Sequence, residues 1–186
     1  MIAYFCGTLP IAILIAKSKG IDITTFGSGN PGASNVARAL GAKYGVLVFV
    51  GDALKGTLPV LALLSNRPIA YACAAATVLG RVFPITRKFK GGKGVATGAG
   101  SLLPLHPFLL IGSALVWLLV TKVTKKASIA SIAVVPMLVL AFVLSGTPGW
   151  EIFALVGIGA LVEVRHASNI KRLLSGTEPP VTGSTV

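Results

Sequence analysis

Residues 44–64 read YGVLVFVGDALKGTLPVLALL, an apolar stretch with few interruptions. A helix that crosses a bilayer needs about 20 mostly apolar residues, so this stretch is long enough to cross. Its two charged residues, Asp52 and Lys55, are three positions apart and can pair on one helix face. Charges inside a span are functional by default, but here we favour an ion pair in the bundle interior over a catalytic role. The stretch therefore predicts a membrane helix.

The rest of the chain has the same character. Of its 186 residues, 54% are hydrophobic and only 12% are charged, whereas a soluble domain carries about 25% charged residues. The glycine-rich run GVATGAGSLLPL at 94–105 is the weakest candidate span, and a re-entrant or buried helix is its alternative. The other apolar runs lie at 1–16, 69–83, 107–121, 127–145 and 150–164. Together the runs predict an all-α integral membrane protein, a bundle of seven transmembrane helices of which some are short.

Basic residues are distributed unevenly over the connections between these runs. Lysines and arginines cluster at 17–43, 81–93, 122–126 and 165–172, while the intervening connections carry only Arg67. Basic loops stay in the cytoplasm, and all four clusters reach that side only if every run crosses. This pattern predicts an outside N-terminus and a cytoplasmic C-terminus. The first run has no basic segment before it and no small-residue cleavage site, so we interpret it as a retained helix.

The net charge of +12 is therefore mostly cytoplasmic, where it meets anionic lipid head groups and anionic metabolites. Nucleic acid is a poor partner, because the chain has no compact basic domain that would hold it. No repeat or low-complexity tract divides the chain. We predict one domain at 1–178 and a flexible tail at 179–186.

The stretch GSGNPGASN at 27–35 matches the G-x-G-x-x-G pattern of dinucleotide-binding turns, with Asp52 downstream. Those glycines must follow a strand, however, and here they follow a membrane span, which excludes a dinucleotide site. A glycine-rich turn before the helical segment ASNVARAL still presents free N–H groups at a helix start, which attract phosphate. The alternative is a simple turn with Ser34 or Asn35 as the N-cap.

A second basic, glycine-rich stretch, RKFKGGKGVAT at 87–97, also runs directly into a predicted helix. It is not a P-loop, because Arg87 stands where the first glycine belongs and Gly94 follows the lysine. We expect Lys93 to lie beside the free amides of Gly91, Gly92 and Gly94. The stretch is predicted to bind an anion.

The third stretch, EVRHASNIKRLLSGTEP at 163–179, follows the last apolar run. His166 and Asn169 are three residues apart and share one helix face. A lone histidine near a membrane interface is usually a surface group. Next to an asparagine, Gly176 and Glu178, His166 is a candidate site residue.

These three stretches, together with GTLP at 7–10 and GDALKG at 51–56, resemble the acyl-phosphate:glycerol-3-phosphate acyltransferase family, the PlsY-type enzymes. The resemblance runs from the first span to Glu178. It implies a bundle of seven transmembrane helices in the bacterial inner membrane, with the active site on the cytoplasmic face. It also implies transfer of a fatty acyl group from acyl-phosphate to the sn-1 hydroxyl of glycerol-3-phosphate, giving lysophosphatidic acid and phosphate for phospholipid synthesis. The implied partners are these two substrates and membrane lipids, with no cofactor, no metal and no acyl-CoA or acyl-carrier protein as direct donor.

The chemistry of the residues agrees with two phosphate-bearing substrates. Arg38 can grip a phosphate through two parallel hydrogen bonds, and Lys93 can offset charge on the leaving group or the oxyanion. The side chains of Ser28 and Asn30 can hydrogen-bond the glycerol hydroxyls or the acyl-phosphate. The residues assigned to catalysis are Ser28, Arg38, Lys93, His166 and Asn169. Those assigned to substrate binding are Gly27, Gly29, Asn30, Gly32, Asn35, Lys90, Gly91, Gly92, Gly94, Thr97 and Glu178.

A conventional general base is missing from the sequence. Neither His106 nor His166 has the aspartate of an H-x4-D pair, and Glu163 and Glu178 are only loose candidates for a Ser-His-Asp arrangement. Positioning and electrostatics are therefore favoured, with a substrate phosphate or His166 accepting the hydroxyl proton.

Two other functions compete with this interpretation. A small membrane transporter of phosphorylated solutes is the alternative, but it predicts site residues near the midplane and on both faces. A CDP-alcohol phosphotransferase needs a cluster of aspartates for metal, and the chain has only Asp22 and Asp52.

Overall fold

A computed structural model describes residues 1–181, and these residues form helices without any strand. The α-helices are α1 Ile2–Thr8, α2 Ile11–Lys17, α3 Ala33–Leu40, α4 Ala42–Leu61, α5 Arg67–Val82, α6 Val95–Leu102, α7 Pro107–Thr124, α8 Ala127–Leu144, α9 Gly149–Val164 and α10 Ala167–Leu174. A short 3₁₀ helix at Ile85–Arg87 follows α5. The prediction of an all-α protein is confirmed for this part of the chain.

Four of these segments are long and apolar enough to cross a membrane: α4, Arg67–Arg87, α7 and α8. Much of their apolar surface is not covered by protein; Phe108 on α7 is 88% exposed and Leu144 on α8 is 77% exposed. In water such surface would be costly, whereas hydrocarbon is its natural solvent. The prediction of an integral membrane protein therefore agrees with the packing.

The first apolar run forms two helices, α1 and α2, where the sequence predicted one. The break falls at Leu9 and Pro10, because proline has no N–H to donate into a continuing helix. Part of the backbone freed by the break finds a partner: the Leu9 carbonyl accepts a hydrogen bond of 3.0 Å from Lys55 Nζ.

The glycine-rich run at 94–105 forms the eight-residue helix α6, which is about 12 Å long at 1.5 Å per residue. The segment as a whole nevertheless follows α5 along its length. The Gly92 N–H donates to the Arg81 carbonyl near one end of α5, and His106 hydrogen-bonds Tyr71 near the other end. The glycines allow α6 to approach α4 closely, since a Cβ on Gly100 would overlap the Ala53 backbone.

The core runs along α5. Ala70, Ala74 and Val78 are fully buried and share one hydrophobic cluster with Leu102 of α6 and Ile158 of α9. Small side chains on α5 let the neighbouring helices come close, as membrane bundles require.

The predicted pair between Asp52 and Lys55 is present, with 2.8 Å between the carboxylate and the ammonium. Arg81 of α5 makes a second ion pair with the same carboxylate, also at 2.8 Å. At the chain end, Pro179 and Pro180 contact Arg38. The remainder of the predicted flexible tail, residues 182–186, lies outside the described residues.

Candidate active site at the end of the bundle

The three predicted motifs converge on one cavity of about 360 Å³. The first motif contributes the loop after α2, the second the loop before α6, and the third the turn between α9 and α10. A neighbouring cavity of about 500 Å³ shares part of this wall. The predicted residues in the two walls are Ser28, Gly29, Asn30, Lys90, Gly91 and Lys93.

The first loop is held by the side chain of Asn35, which is 1% exposed. Its Oδ1 accepts from the Ser28 N–H at 3.1 Å, and its Nδ2 donates to the carbonyls of Ile23 and Phe26. Gly27 and Gly29 lie in the left-handed region, at φ +55° and +67°, which glycine adopts without strain. The Asn35 side chain therefore fixes the conformation of the loop, and Ser28 and Asn30 of this loop line the cavity.

The helix after this loop begins at Ala33, and its N-cap is Gly32, without a side-chain cap. The alternative of a turn capped by Ser34 or Asn35 is therefore wrong. The helix therefore begins two residues earlier than a cap at Ser34 would place it, and three earlier than a cap at Asn35 would. The Asn35 amide is used inside the loop instead.

Arg38 lies one turn beyond Asn35 but is not among the described residues that line either cavity. Its guanidinium donates to Asn35 Oδ1 at 3.0 Å and to the carbonyls of Pro180 at 2.6 Å and Pro179 at 3.4 Å. The C-terminal segment thus fixes Arg38 next to the first loop. A guanidinium has five N–H donors, so these three contacts leave others for an anion.

The second loop, before α6, differs from the prediction that the amides of its three glycines are free. The Gly92 amide is not free, because it donates to the Arg81 carbonyl at 3.1 Å. Gly91 and Gly92 are buried against the end of α5, where a Cβ on Gly91 would overlap the Arg81 carbonyl. Gly91 and Gly92 therefore allow close packing. Of the three glycines in this loop, only Gly94, the N-cap of α6 at φ +87°, has the left-handed conformation.

Lys93 projects from this loop into the cavity. Burial lowers the pKa of its ammonium to about 8, an effect that Glu178 opposes and that Arg172 and Arg38 reinforce. The lysine is still protonated at neutral pH. Thr97, by contrast, is buried in α6 and lines neither cavity among the described residues.

His166 is buried behind the cavity, 1% exposed, at the start of α10. Its Nδ1 donates to the Val162 carbonyl at 2.8 Å, so the other ring nitrogen is the unprotonated one in the neutral tautomer. Burial, with a smaller effect of the Lys93 charge, lowers the pKa of His166 to about 4. Because a carbonyl occupies Nδ1, the ring lacks the carboxylate of a Ser-His-Asp triad.

Asn169 and Glu178 brace the third motif. Asn169 Nδ2 donates to one carboxylate oxygen of Glu178 at 2.6 Å, and Arg172 Nε donates to the other at 2.7 Å. Burial alone would raise the pKa of Glu178, but hydrogen bonds from its neighbours, including Asn169 and Arg172, lower it. Both residues are buried, and their contacts hold the chain end against α10.

Sequence reasoning missed several residues in the cavity walls. Arg165, Ser168 and Arg172 line the first cavity, and Arg87 lines the second. From the sequence these arginines belonged to basic clusters, and Arg87 also to the anion-binding second stretch, but none was named as a site residue. Their position within or next to the motifs was the available signal.

The walls of the two cavities combine cationic side chains with hydroxyl and amide donors. Lys93, Arg165 and Arg172 surround the first cavity, and Arg87 and Lys90 extend the positive charge into the second. Such a site can hold two phosphate groups near each other and offset their repulsion.

Comparisons with known proteins agree with this chemistry. A family model described as glycerol-3-phosphate acyltransferase matches residues 1–176. A glycerol-3-phosphate acyltransferase of Aquifex aeolicus is 43% identical over 180 residues, which cover 95% of this chain and 94% of that protein.

The fold is also similar to two solved structures. A crystal structure of PlsY, an integral membrane glycerol 3-phosphate acyltransferase in its glycerol 3-phosphate form, aligns with a TM-score of 0.91 at 42% identity, covering 97% of this chain and 92% of that one. The lysophosphatidic acid form of PlsY aligns with a TM-score of 0.88 at 42% identity, covering 96% and 91%. With three motifs gathered on one cationic cavity and a family model matching nearly the whole chain, this protein belongs to the glycerol-3-phosphate acyltransferase family.

Proposed function

We propose that this protein transfers a fatty acyl group from acyl-phosphate to the sn-1 hydroxyl of glycerol-3-phosphate, producing lysophosphatidic acid and inorganic phosphate. The observation that carries the proposal is the cavity where Ser28, Lys93 and Arg172 meet, each from a different motif. Solved relatives at 42% identity are described as glycerol 3-phosphate and lysophosphatidic acid forms, which match the acceptor and the product of this reaction.

In the proposed reaction, the sn-1 hydroxyl oxygen attacks the acyl carbonyl carbon, and the bond from that carbon to the phosphate oxygen breaks. Lys93 and the cavity arginines offset the charge that develops on the carbonyl oxygen and on the leaving phosphate. An acyl-phosphate is already activated, so no covalent acyl-enzyme is needed. Ser28 and Asn30 orient the glycerol backbone through hydrogen bonds, which makes positioning the enzyme's main contribution.

The proton of the attacking hydroxyl goes to a phosphate oxygen of a substrate. A phosphate monoester has a second pKa of about 6, which makes it a stronger base than His166, whose pKa is about 4. His166 is also buried behind the cavity wall. We assign His166 and Asn169 to holding the third motif in place.

The test supplies purified protein with palmitoyl-phosphate and glycerol-3-phosphate and identifies the products by mass spectrometry. Lysophosphatidic acid and phosphate should form in equal amounts. Palmitoyl-CoA in place of palmitoyl-phosphate is the matched control and should give no product. Product from the thioester alone would contradict the proposed donor, and absence of product from both would contradict the proposed function.

We also propose a seven-pass topology with the N-terminus outside and the cavity at the cytoplasmic face of the bacterial inner membrane. It is supported by the basic clusters near the cavity and by the path of residues 92–106 along α5. Gathering of the motifs at one end of the bundle also argues against the transporter alternative.

Cysteine labelling tests this topology. After Cys6 and Cys73 are replaced by alanine, the exposed positions of Ser65→Cys and Ser175→Cys should react with an impermeant maleimide from opposite sides of sealed vesicles. Labelling of both cysteines from the same side would overturn the seven-pass arrangement.

A further inference from the structure

A buried arginine outside the predicted motifs contacts two of the loops that form the cavity. Arg81 lies near the end of α5, and its side chain is 4% exposed. Its guanidinium donates to Asp52 Oδ2 of α4 at 2.8 Å and to the carbonyl of Pro31 in the first loop. One planar side chain therefore ties two helices to the loop that carries Ser28 and Asn30.

The backbone of Arg81 holds the second loop in the same way. Its carbonyl accepts the Gly92 N–H at 3.1 Å, next to Lys93. A Cβ on Gly92 would lie 2.7 Å from the guanidinium carbon of Arg81, so the loop rests directly on this side chain. The first and second loops thus share a single support.

Lys55 offers a natural comparison within the same cluster. It pairs with the other oxygen of Asp52 at the same 2.8 Å, and its side chain is 3% exposed. Its further hydrogen bond goes to the Leu9 carbonyl between α1 and α2, away from the cavity loops. Lys55 and Arg81 therefore both pair with the Asp52 carboxylate, and of these two cations only Arg81 also contacts a cavity loop.

Arg81 is not among the described residues that line either cavity. We propose that Arg81, oriented by Asp52, is a positioning residue of the acyl transfer: it sets the spacing between the loop carrying Ser28 and Asn30 and the loop carrying Lys93. This inference rests on the proposed function. Small displacements between groups that hold substrate have large effects on rate, so the loss of one such anchor should affect kinetics more than folding.

The test compares Arg81→Lys with Lys55→Met in purified protein. Arg81→Lys keeps a positive charge beside Asp52, but the shorter side chain loses the guanidinium Nη2 that donates to both the carboxylate and the Pro31 carbonyl. We expect its kcat/KM for glycerol-3-phosphate to fall about tenfold or more, as when one hydrogen bond to a charged group is lost, while the thermal midpoint stays near wild type. Lys55→Met should keep kcat/KM within about twofold of wild type, whatever its effect on stability.

Asp52→Asn is the second variant, and it keeps the shape of the side chain that orients Arg81. It should lower kcat/KM in the same direction as Arg81→Lys but by less, because the amide oxygen still accepts a hydrogen bond. If Arg81→Lys fails to fold, kcat/KM of Asp52→Asn still tests the inference. Wild-type kinetics in the folded Arg81 or Asp52 variant would overturn the inference, as would losses in the Arg81 and Lys55 variants that merely follow their stabilities.

Equilibrium binding of radiolabelled glycerol-3-phosphate, measured without a donor, separates this inference from the proposed function. Wild-type protein should bind it, and Arg81→Lys should bind it several-fold more weakly. If wild-type protein binds glycerol-3-phosphate but palmitoyl-phosphate is not a donor, the assignment of the donor fails and the positioning role stands. If wild-type protein does not bind it at all, the proposed function fails and the positioning role falls with it.

Discussion

Helix α5 carries an arginine near each end, and the two arginines belong to different polar clusters. Arg81 belongs to the site-side cluster, which consists of Asp52, Lys55 and Arg81 and contacts the cavity loops through Arg81 alone. Arg67 lies about 21 Å away along the helix, at 1.5 Å per residue, and belongs to a far-side cluster around Glu151. Both clusters neutralise a buried carboxylate, but only one of them contacts residues of the site.

The far-side cluster is centred on Glu151 of α9 and also contains Arg67, Tyr71 and His106. Arg67 donates to both carboxylate oxygens of Glu151 at 2.7 Å, and the Tyr71 hydroxyl donates to one of them at 2.7 Å. His106, at the start of α7, lies 3.1 Å from the same carboxylate. This cluster joins the ends of α5, α7 and α9, and we therefore expect it to stabilise the bundle without contributing to catalysis.

The largest expected effect belongs to the site itself. Lys93→Ala should lower kcat by about 100-fold, since losing one donor that offsets transition-state charge costs on the order of 3 kcal/mol. Thermal stability should change little, because Lys93 lines the cavity and does not pack in the hydrophobic core. Turnover is measured by phosphate release from palmitoyl-phosphate. Near-normal turnover of the purified variant would contradict the role of Lys93.

Glu151→Ala should give the opposite result at the far-side cluster. Removing the carboxylate leaves Tyr71 and His106 without their shared partner. Because the Arg67 side chain is 43% exposed, we expect a loss of about 2 kcal/mol of unfolding free energy, as for an unsatisfied buried polar group. Denaturation in detergent micelles measures this loss, while kcat and KM of the folded fraction should stay near wild type. Glu151→Gln is the matched control and should lose less. A fall in kcat comparable to that of Arg81→Lys would remove the distinction between the clusters.

The pH dependence of turnover should reflect the titration of Lys93 in the site and not that of the far-side cluster. Burial lowers the pKa of Lys93 to about 8, so the ammonium is present below that pH and is lost as the pH rises through it. We expect kcat/KM to fall above about pH 8, by up to tenfold per pH unit for a single group. In Lys93→Arg the fall should move to higher pH, since arginine stays protonated. Identical profiles in the two proteins would contradict this assignment.

Tyr71→Phe is the smallest change and sharpens the comparison. It removes one hydroxyl that donates to Glu151 at 2.7 Å while keeping the aromatic ring. We expect a loss of about 1 kcal/mol in unfolding free energy and unchanged kinetics. Denaturation and turnover are measured as for Glu151→Ala, and an effect on KM for glycerol-3-phosphate would link the far end of α5 to the site.

The predictions that succeeded from sequence rested on local properties. Hydropathy identifies α4, α7 and α8, because the preference of each residue for lipid or water depends mainly on that residue alone. The pair between Asp52 and Lys55 follows from helix periodicity, and the helix after GSGNPGASN follows from turn chemistry. The three motifs were chosen because glycines beside basic residues suit a place where backbone and cations approach an anion, and the structure brings them to one cavity.

Contacts between distant parts of the chain could not be derived in this way. Glu151 pairs with Arg67 across 84 positions, and Arg38 donates to the carbonyl of Pro180 across 142. Arg38 was expected to grip a phosphate, and its contacts with the C-terminal segment were not foreseen. Such partners depend on how helices pack, which no local pattern encodes.

The sequence by itself determined that this is a helical membrane protein, and it predicted an anion-binding site built from three motifs. Only the tertiary structure decided that Gly91 and Gly92 serve close packing on Arg81, that His166 is buried behind the wall, and that Arg165 and Arg172 line it. The physical reason is the range of the interactions. Solvent preference and turn geometry act over a few residues, whereas burial and ion pairing are set by whichever helices the fold brings into contact.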